Sequence, residues 1–465
     1  MNYYLAIDIG ASSGRHILSH LEDGKIVLEE IYRFENGIKE INGVKTWDVN
    51  ELFKHILIGM KKCKEIGKIP YSLGIDTWAV DFVILDKNDV PIGPAVAYRD
   101  SRTKNMDKEV YKCISEDELY HRTGIQKQLF NTIYQLMAIK VKQPDIFAKA
   151  EHMLMIPDYF NFRLTGQKVQ EYTNASTTQL VNPFTKDWDY ELIDLLGYPR
   201  SMFEKIVMPG HKLGMLTDYI ANEVGYNTLV CVPATHDTAS AVMAVPAIEG
   251  ETVYISSGTW SLMGTELKEA ITDSNSKAKN FTNEGGYDYR FRYLKNIMGM
   301  WMINSMKKEI ANDMSFSQIC ELASKENIAS IVPVNDDRFL APKNMTEEVK
   351  AACLESGQEV PKTVGQVAAV IYNSLAKCYA DTAAELEEIT GNRYESINIV
   401  GGGSKADYLN ELTAKFSKRK IYTGPIEATA IGNVVAQMIA SSELSNLQSA
   451  RECILKSFEV KTYTM

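Results

Sequence analysis

The sequence predicts an α/β protein made of two repeated parts. Apolar runs that are typical of strands alternate with amphipathic helical segments such as Val49 to Ile66. A short strand, a turn of small and hydroxyl-bearing residues and a returning strand occur at residues 4–19 and again at residues 251–267. The length of 465 residues is sufficient for two or three domains with large cores. We therefore expect two duplicated domains, residues 1–243 and residues 244–465.

Composition and charge narrow the classes of partner and the cellular compartment. The hydrophobic fraction of 45% and the charged fraction of 24% are typical of a globular protein. A net charge of -10 and a pI near 5.4 disfavour nucleic acid and anionic membranes as main partners, because both attract clustered Lys and Arg. The seven scattered cysteines lack a C-x-x-C pair, which indicates reduced thiols. No segment resembles a secretory signal or a membrane span, so we expect a cytoplasmic protein.

The centre of the chain carries one carboxylate in a run of small residues, Val232 to Ala241. An apolar strand ends at Pro233 and a small-residue helix starts at Thr238, so Asp237 is expected to project from a strand-to-helix corner, where side chains face clefts. A carboxylate there can accept the proton of a substrate hydroxyl during phosphoryl transfer. It can equally cap the helix, because Asp is a preferred N-cap residue.

The first strand runs into Asp8-Ile9-Gly10-Ala11-Ser12-Ser13-Gly14-Arg15, and an Asp-Gly hairpin signal follows at Asp23-Gly24. Small residues allow backbone N–H groups to approach phosphate oxygens, with Arg15 as a countercharge. Asp8 at the strand end can hold a hydrated Mg²⁺. An ordinary Gly/Ser hairpin is the alternative. The similar turn near Thr259 offers a second phosphate-sized loop.

Further polar residues stand in apolar surroundings. Residues 72–86 predict strand, turn, strand, and the carboxylates of Asp76 and Asp81 within them need partners, of which a polyhydroxylated ligand is one. Trp78 offers a face on which a sugar can stack, or belongs to the core. Residues 104–230 read as mostly helical scaffold. Asn296 can bind a ligand or cap the helix that follows it.

The last third of the chain contains a helix-strand-helix unit with a glycine turn. Thr363-x-x-Gln366 predicts a capping box and a long helix that stops at Gly391. The strand from Ser396 to Val400 then runs into Gly401 to Gly403, with a new helix expected from Ser404. Such a turn leaves room for a nucleotide near the helix N-terminus. The P-loop, simple Rossmann and protein-kinase signatures are absent from the sequence.

Taken in order, DIGASSGR, GIDTWAVDF, AYRDSRT, PATHDTASAV, SSGTWSLMG and VGGGSKADYLN resemble the motifs of the FGGY family of carbohydrate kinases. The resemblance runs from residue 4 to about residue 440. It implies an α/β fold of two duplicated actin/hexokinase/Hsp70-like (ribonuclease H-like) domains, with ATP, Mg²⁺ and a small-molecule sugar bound in the cleft between them. Residues 1–243 would then bind sugar and carry the first phosphate loop, and residues 244–465 would bind the nucleotide.

The resemblance also assigns roles to single positions. Asp237 matches the family's general base and Asp8 its Mg²⁺-linked acid. The positions that match sugar contacts are Ala79 (through its backbone), His236, Asp237, Thr238 and Asn296. Those that match nucleotide or phosphate contacts are Ala11, Ser12, Ser13, Gly14, Arg15, Thr259, Asn304 and Gly402. Ala79 stands where the pattern has Gly, and Asn304 where it has Gln, which can alter the sugar pocket and one ATP contact.

Within the family, the motifs are most similar to those of members that phosphorylate L-rhamnulose at its C1 hydroxyl. A kinase for L-fuculose, a xylulose or a polyol is the nearest alternative, because pockets distinguish hydroxyl positions by a few hydrogen bonds. An actin-like nucleotide switch or sugar sensor without transfer activity is a second alternative from a different class. The sequence is compatible with a homo-oligomer but does not specify one.

Overall fold

The computed structural model describes residues 1–246, 248, 252–340 and 342–465. Glu251, the first residue of the second predicted strand-turn-strand segment, lies outside the described residues. The chain divides into two compact units that are discontinuous in sequence. Unit 1 contains residues 1–244, 267–293 and 429–457, and unit 2 contains residues 245–266, 294–428 and 458–465. Among the described residues, no helix combines the length and the apolar character needed to span a membrane.

The strands and helices are numbered in chain order. The strands are β1 (Tyr3–Ile9), β2 (Ser13–Glu22), β3 (Lys25–Glu35), β4 (Lys39–Ile41), β5 (Val44–Trp47), β6 (Pro70–Thr77), β7 (Phe82–Leu85), β8 (Ala95–Val96), β9 (His152–Met155), β10 (Gln170–Glu171), β11 (Val181–Asn182), β12 (Asp187–Trp188), β13 (Ile206–Val207), β14 (His211–Met215), β15 (Leu229–Val232), β16 (Val253–Ser257), β17 (Trp260–Leu267), β18 (Thr282–Gly285), β19 (Phe291–Met298), β20 (Ser396–Val400), β21 (Lys420–Thr423) and β22 (Lys461–Tyr463). The α-helices are α1 (Val49–Glu65), α2 (Met106–Val110), α3 (Glu116–Thr123), α4 (Thr132–Lys142), α5 (Pro144–Phe147), α6 (Ile156–Thr165), α7 (Tyr172–Ala175), α8 (Tyr190–Leu195), α9 (Asp218–Val224), α10 (Asp237–Met243), α11 (Ser274–Ala278), α12 (Trp301–Ile310), α13 (Phe316–Ser324), α14 (Met345–Glu355), α15 (Val364–Thr390), α16 (Asp407–Ser417), α17 (Ala428–Ala440) and α18 (Leu447–Ser457).

Unit 1 is built on a sheet with strand order β3-β2-β1-β6-β15-β14. Strands β1, β2 and β3 form an antiparallel meander, β6 and β15 join parallel to β1, and β14 closes the edge antiparallel. The Asp23-Gly24 turn adopts φ values of 50° and 73°, as the sequence predicted for a tight hairpin. Alternate strand residues such as Ile7 and Ile75 enter a core that α1 completes with Ile56.

Unit 2 repeats this arrangement. Its strand order β19-β17-β16-β20-β21-β22 places an antiparallel hairpin, β16 and β17, beside two parallel strands and an antiparallel edge strand. The sheet also contains a seventh strand, β18, next to β19, which has no counterpart in the six-stranded sheet of unit 1; the other six positions have one. The predicted α/β class and the internal duplication are confirmed.

Helix α17 returns to unit 1 and packs closely against α10. An added Cβ at Gly432 would lie 1.7 Å from the carbonyl oxygen of Ser240, so the two helix backbones touch. Asn433 on the same helix donates from Nδ2 to Gly74 O (3.1 Å) and to Asp76 Oδ2 (2.6 Å) on β6. The glycine and the amide therefore fix α10 and the end of β6 in one framework.

The strand, turn and strand expected over residues 72–86 form as β6 and β7. The two strands belong to different sheets: β6 lies inside the main sheet, whereas β7 pairs antiparallel with β9.

Two local expectations need correction. Residues 104–230 contain strands β9 to β15 as well as helices. A 3₁₀ turn covers Gly402–Lys405, so the helix expected from Ser404 starts at Asp407.

The helix expected after Thr363 forms as α15 and ends at Gly391, but its capping differs from a full capping box. The Thr363 side chain accepts from Gln366 N, whereas the Gln366 side chain accepts from Lys362 N. The Gln366 side chain therefore binds the backbone N–H of the residue before the N-cap rather than that of the N-cap residue itself.

Candidate functional site

A strand-to-helix corner of unit 1 carries Asp237, as expected. Glu171 holds this corner, because its buried carboxylate accepts from Thr235 N (3.0 Å) and Thr235 Oγ1 (2.8 Å). The backbone of Thr77 at the end of β6 donates to Thr235 O at 2.9 Å. His236 occupies the N-cap position and Asp237 is the first residue of α10. Asp237 is therefore not the capping residue.

The Asp237 carboxylate lies in an environment that disfavours its charge. Its Oδ1 accepts from Thr238 N (2.5 Å) and Thr238 Oγ1 (3.1 Å), and the side chain keeps 34% exposure. Burial, followed by repulsion from Asp8, raises its pKa to about 6. A carboxylate with a raised pKa is a better proton acceptor near neutral pH than an ordinary one.

Asp8 is the last residue but one of β1 and lies between two charged neighbours in the sheet, Arg15 on β2 and Asp76 on β6. Arg15 donates to Asp8 Oδ2 from Nε (3.0 Å) and Nη2 (2.9 Å). Asp76 is fully buried, and burial together with the charges of Asp8 and Asp237 raises its pKa well above the ordinary value. The structure thus brings Asp8, Asp76 and Asp237 into mutual electrostatic influence, which a bound cation would relieve.

The loop after β1 presents its tip to solvent. Gly10 N donates to Ser13 O at 2.9 Å, and Asn36 anchors both sides of the turn through Ser12 O (3.0 Å) and Gly10 O (2.8 Å). Ala11 and Ser12 are exposed and Ser13 is half-buried. The backbone and hydroxyl donors at the tip are accessible to an anionic ligand.

Packing also requires a glycine at position 14. A Cβ at this position would lie 2.1 Å from the ring of Phe34 on β3. The glycine of the motif therefore permits the aromatic ring to cover β2 beside Arg15.

Ala79 lies in a tight turn directly after β6. Asp81 N donates to Ala79 O at 2.9 Å, and Val80 between them has a φ of 67°, which is rare for a β-branched residue. The Val80 carbonyl accepts from Thr132 Oγ1 (2.8 Å) and Gln135 Nε2 (3.1 Å). These contacts hold the Ala79 backbone in a defined orientation.

The buried carboxylate of Asp81 is satisfied by the protein. It accepts from the indole nitrogens of Trp47 (2.6 Å) and Trp78 (3.0 Å), from Tyr98 N (3.0 Å) and from Gln135 Nε2 (3.0 Å). Trp78 is 6% exposed and its ring centroid lies 4.0 Å from that of Trp47. The core interpretation of Trp78 therefore holds, and Asp81 supports the turn rather than a ligand.

His236 is buried beside two residues that no motif indicated. Arg292 Nη2 lies 3.0 Å from His236 Nδ1, and Glu284 Oε2 lies 3.0 Å from the same guanidinium nitrogen. Burial and the positive charge of Arg292 lower the pKa of His236 well below the ordinary value. The imidazole is therefore neutral, and its Nε2 lies 3.5 Å from Asp237 Oδ1.

In unit 2, the turn between β16 and β17 carries Thr259. Gly258 and Thr259 are exposed, and their carbonyls accept from the backbone of Met300 (3.2 Å) and Trp301 (3.0 Å) at the start of α12. An added Cβ at Gly299 would lie 2.6 Å from a backbone nitrogen of β17. The hairpin and the helix start therefore form one rigid structure.

The glycine turn after β20 packs against the end of β16. Gly401 has a φ of 85°, and an added Cβ at Gly403 would lie 1.9 Å from Ser257 Oγ, so both positions require glycine for local reasons. Gly402 differs, because an added Cβ would meet nothing within 4 Å and the residue is exposed. Its backbone is open to a ligand.

Asn296 and Asn304 also belong to unit 2. Asn296 lies within β19, and the helix that follows starts at Trp301, so the N-cap interpretation of Asn296 is wrong. Asn304 lies in the first turns of α12, and both side chains are half-buried.

The predicted site residues thus divide between the units. Unit 1 holds Asp8, Ala11, Ser12, Ser13, Gly14, Arg15, Ala79, His236, Asp237 and Thr238, and unit 2 holds Thr259, Asn296, Asn304 and Gly402. Within the described part of the chain, no group of three or more His, Cys, Asp or Glu side chains is arranged to hold a metal ion. A metal at Asp8 would therefore need ligands from a substrate or from water.

Two family models match the chain in order. The N-terminal domain of the FGGY family of carbohydrate kinases matches residues 3–244, and the C-terminal domain matches residues 253–441. The chain belongs to this family. The kinase is 52% identical to a rhamnulokinase of Halalkalibacterium halodurans, over 100% of this chain and 99% of the relative. It is 49% identical to a rhamnulokinase of Oceanobacillus iheyensis, over 99% of this chain and 97% of the relative.

Solved structures agree on the fold. A ligand-bound xylulose kinase from Lactobacillus acidophilus superposes with a TM-score of 0.82 at 17% identity, covering 100% of this chain and 94% of that one. The two-domain α/β fold of this carbohydrate kinase is therefore shared with kinases of distant sequence.

The sequence did not identify Glu171, Glu284 or Arg292 as site residues. Each is a charged residue that is buried within a strand-forming run. A charged residue in such a run is a weak signal, because it becomes informative only when its spatial partner is known.

Proposed function

We propose that this kinase uses ATP and Mg²⁺ to phosphorylate the C1 hydroxyl of L-rhamnulose, giving L-rhamnulose 1-phosphate and ADP. The observation that carries the proposal is the corner carboxylate Asp237, whose pKa is raised to about 6 by burial and by Asp8. The relatives named rhamnulokinase, at about half identity over the full chain, support the choice of ketose. We also propose that the kinase acts in the cytoplasm on this small molecule.

Asp237 would accept the proton of the reacting hydroxyl. Phosphoryl transfer has a loose transition state, so the protein mainly positions groups and neutralises charge, and proton acceptance by Asp237 completes the transfer. The hydrogen bonds from Thr238 to Oδ1 fix the orientation of this carboxylate. His236 and the Ala79 backbone would orient the sugar. Ala79, where the family pattern has Gly, would narrow the pocket by one methyl group.

The residues at Asp8 fit a magnesium ion. Carboxylate oxygens are the ligands that Mg²⁺ prefers, and the ion commonly takes only one or two of them beside water and substrate phosphates. Repulsion among Asp8, Asp76 and Asp237 contributes to the raised pKa values of Asp76 and Asp237, and a cation would remove that penalty. When bound, Mg²⁺ would neutralise charge on the transferring phosphoryl group.

Loops with exposed donors support the proposed phosphate and nucleotide contacts. Ala11, Ser12 and Ser13 offer exposed backbone and hydroxyl donors beside Arg15, and Thr259 offers the same on the second hairpin. Gly402 leaves open space in which the nucleotide can approach the backbone. Asn304 would retain an amide near the nucleotide, one methylene shorter than the Gln of the family pattern.

The test is the position of the phosphate in the product. Incubation of the purified kinase with L-rhamnulose, ATP and MgCl₂ should give a single product whose ³¹P–¹³C coupling in the NMR spectrum places the phosphate on C1. The Asp237→Asn variant serves as the matched control and should form the same product far more slowly. A product phosphorylated at another carbon, or no phosphorylated sugar, would refute the proposal.

A further inference from the structure

A buried cluster behind the sugar-binding corner joins three distant residues of unit 1. His236 precedes α10, Glu284 lies on β18 and Arg292 lies on β19. The Arg292 side chain is fully buried, donates from Nε to Gly285 O at 2.8 Å and approaches His236 Nδ1 at 3.0 Å through Nη2. Glu284 Oε2 lies 3.0 Å from Nη2 and balances its charge.

This geometry determines which imidazole nitrogen carries the proton. A guanidinium has only donors, so the nitrogen that faces it at 3.0 Å must accept. Nδ1 of His236 is therefore unprotonated, and the hydrogen of the neutral ring is on Nε2. The Glu284 carboxylate lies farther from Nδ1, at 3.5 Å, and a proton on Nδ1 would place two donors against each other.

Burial and the guanidinium of Arg292 keep the ring neutral, although the two carboxylates that face it favour the charged form. The groups that face His236 are Arg292 on β19, Glu284 on β18 and Asp237 on α10. Burial is the largest effect and the charge of Arg292 adds to it, so the pKa of His236 falls well below its ordinary value. A positively charged imidazole would face the guanidinium at hydrogen-bonding distance.

We propose that Arg292 is a positioning residue for phosphoryl transfer, which fixes His236 as the neutral tautomer with its hydrogen on Nε2. The inference rests on the proposed function and extends it to a residue outside the family motifs used above. Nε2 lies 3.5 Å from Asp237 Oδ1, so a donor and an acceptor stand side by side. One hydroxyl can accept from the first while it donates to the second.

The tautomer of His236 thus determines which group accepts the proton of the reacting hydroxyl. With the hydrogen on Nε2, the reacting hydroxyl can place its own proton only on Asp237. With the opposite tautomer, Nε2 would be a second acceptor and would compete for that proton. Loss of Arg292 should therefore slow the chemical step more than it weakens nucleotide binding.

The experiment reads the tautomer directly in the full-length enzyme. Protein labelled with ¹⁵N-histidine is examined by long-range ¹H–¹⁵N correlation NMR, and the His236 signals are assigned by their loss in His236→Gln. The wild-type enzyme without substrate should show a neutral ring protonated on Nε2. A ring protonated on Nδ1, or a charged ring at pH 7.5, would overturn the proposal.

The decisive variant is Arg292→Met combined with Glu284→Gln, because removal of the arginine alone would leave a buried unpaired carboxylate. We expect the Nε2–H population to fall and kcat to decrease by about 10- to 100-fold, the range found when the outer partner of a metal-binding histidine is removed. KM for ATP should stay within about 2-fold, because it reports binding rather than this proton transfer. An unchanged tautomer or an unchanged kcat would contradict the proposal.

Two further variants complete the test. Arg122→Gln breaks a partly buried ion pair with Asp189 elsewhere in unit 1 and should leave the tautomer and kcat unchanged. If the double variant does not fold, Arg292→Lys keeps a cation but lacks the planar fork that holds both Gly285 O and Nδ1, and kcat should again fall. Retention of full activity by Arg292→Lys would count against the proposal. Absence of any ketose phosphorylation by the wild type would refute the proposed function. The tautomer of His236 is measured without substrate, so its result is independent of that outcome.

Discussion

Replacement of Asp237 by Asn should lower activity and raise stability. The amide cannot accept the hydroxyl proton, and loss of a general base costs on the order of 10²- to 10⁴-fold in kcat. The same substitution removes a carboxylate whose ionised form is disfavoured by burial and by the negative charge of Asp8. Opposite signs in activity and stability are expected at a functional site, where residues are placed for chemistry rather than for folding.

The raised pKa of Asp237 sets the size of the stability change. A rise of the pKa from 3.8 to about 6 corresponds to ~3 kcal/mol if fully expressed. The side chain is 34% exposed, so screening by water reduces this to ~1–2 kcal/mol. An acidic residue in the first turn of α10 also gains ~0.5 kcal/mol from the helix dipole, which the variant loses. The net gain is about 1 kcal/mol, or roughly 2 °C in Tm.

The difference in stability between Asp237→Asn and the wild type depends on pH. A raised pKa stabilises the fold at low pH, where the carboxyl is protonated, and this contribution disappears as the pH rises through about 6. Asp237→Asn should therefore melt above the wild type at pH 8 and near it at pH 4, as measured by differential scanning calorimetry. Asp218→Asn, at an exposed position in the first turn of α9, is the matched control and should lower Tm slightly. Near-normal turnover in Asp237→Asn would contradict the role of Asp237 as general base, and a lower Tm at pH 8 would contradict the destabilising effect of its charge.

Four further predictions concern the surroundings of the site. In the wild type, kcat/KM should fall as the pH drops through about 6. Asp8→Asn should shift this fall to lower pH, because it removes a charge that raises the pKa of Asp237. An unshifted pH profile would contradict the coupling between the two carboxylates. Gly299→Ala should lower Tm through overpacking of ~1–3 kcal/mol, since the new Cβ would lie 2.6 Å from a backbone nitrogen. Gly402→Ala, with open space around it, should keep Tm but weaken ATP binding in calorimetric titration, and an unchanged affinity would exclude close approach of the nucleotide. Gly432→Ala should lower both Tm and kcat, because its Cβ would lie 1.7 Å from a carbonyl of α10; unchanged values would argue against that helix contact.

Local patterns were sufficient for the elements that begin and end with a clear signal. The hairpin at Asp23-Gly24, helix α15 with Thr363 and Gly391 at its ends, and strand β20 all form as predicted. Turn and cap chemistry acts over a few residues, so it can be read without knowledge of the fold.

Pairing and burial partners could not be read in this way. Strand β7 follows β6 closely, yet its partner β9 lies about 70 residues later, and no local signal names a strand's neighbour. Asn296 looked equally suited to a helix cap, and only the extent of β19 and the start of α12 exclude that interpretation. The family motifs indicated His236, but they did not reveal that Arg292 lies behind it.

The central claim is sugar-dependent phosphoryl transfer with L-rhamnulose as the preferred acceptor. The direct measurement is ADP release from Mg-ATP with L-rhamnulose, L-fuculose, L-xylulose, D-xylulose and glycerol at equal concentrations. We expect kcat/KM to be highest for L-rhamnulose and ADP release to be low without sugar. A higher kcat/KM with another acceptor would identify that compound as the preferred substrate. ADP release that is absent or independent of sugar would contradict sugar-dependent phosphoryl transfer.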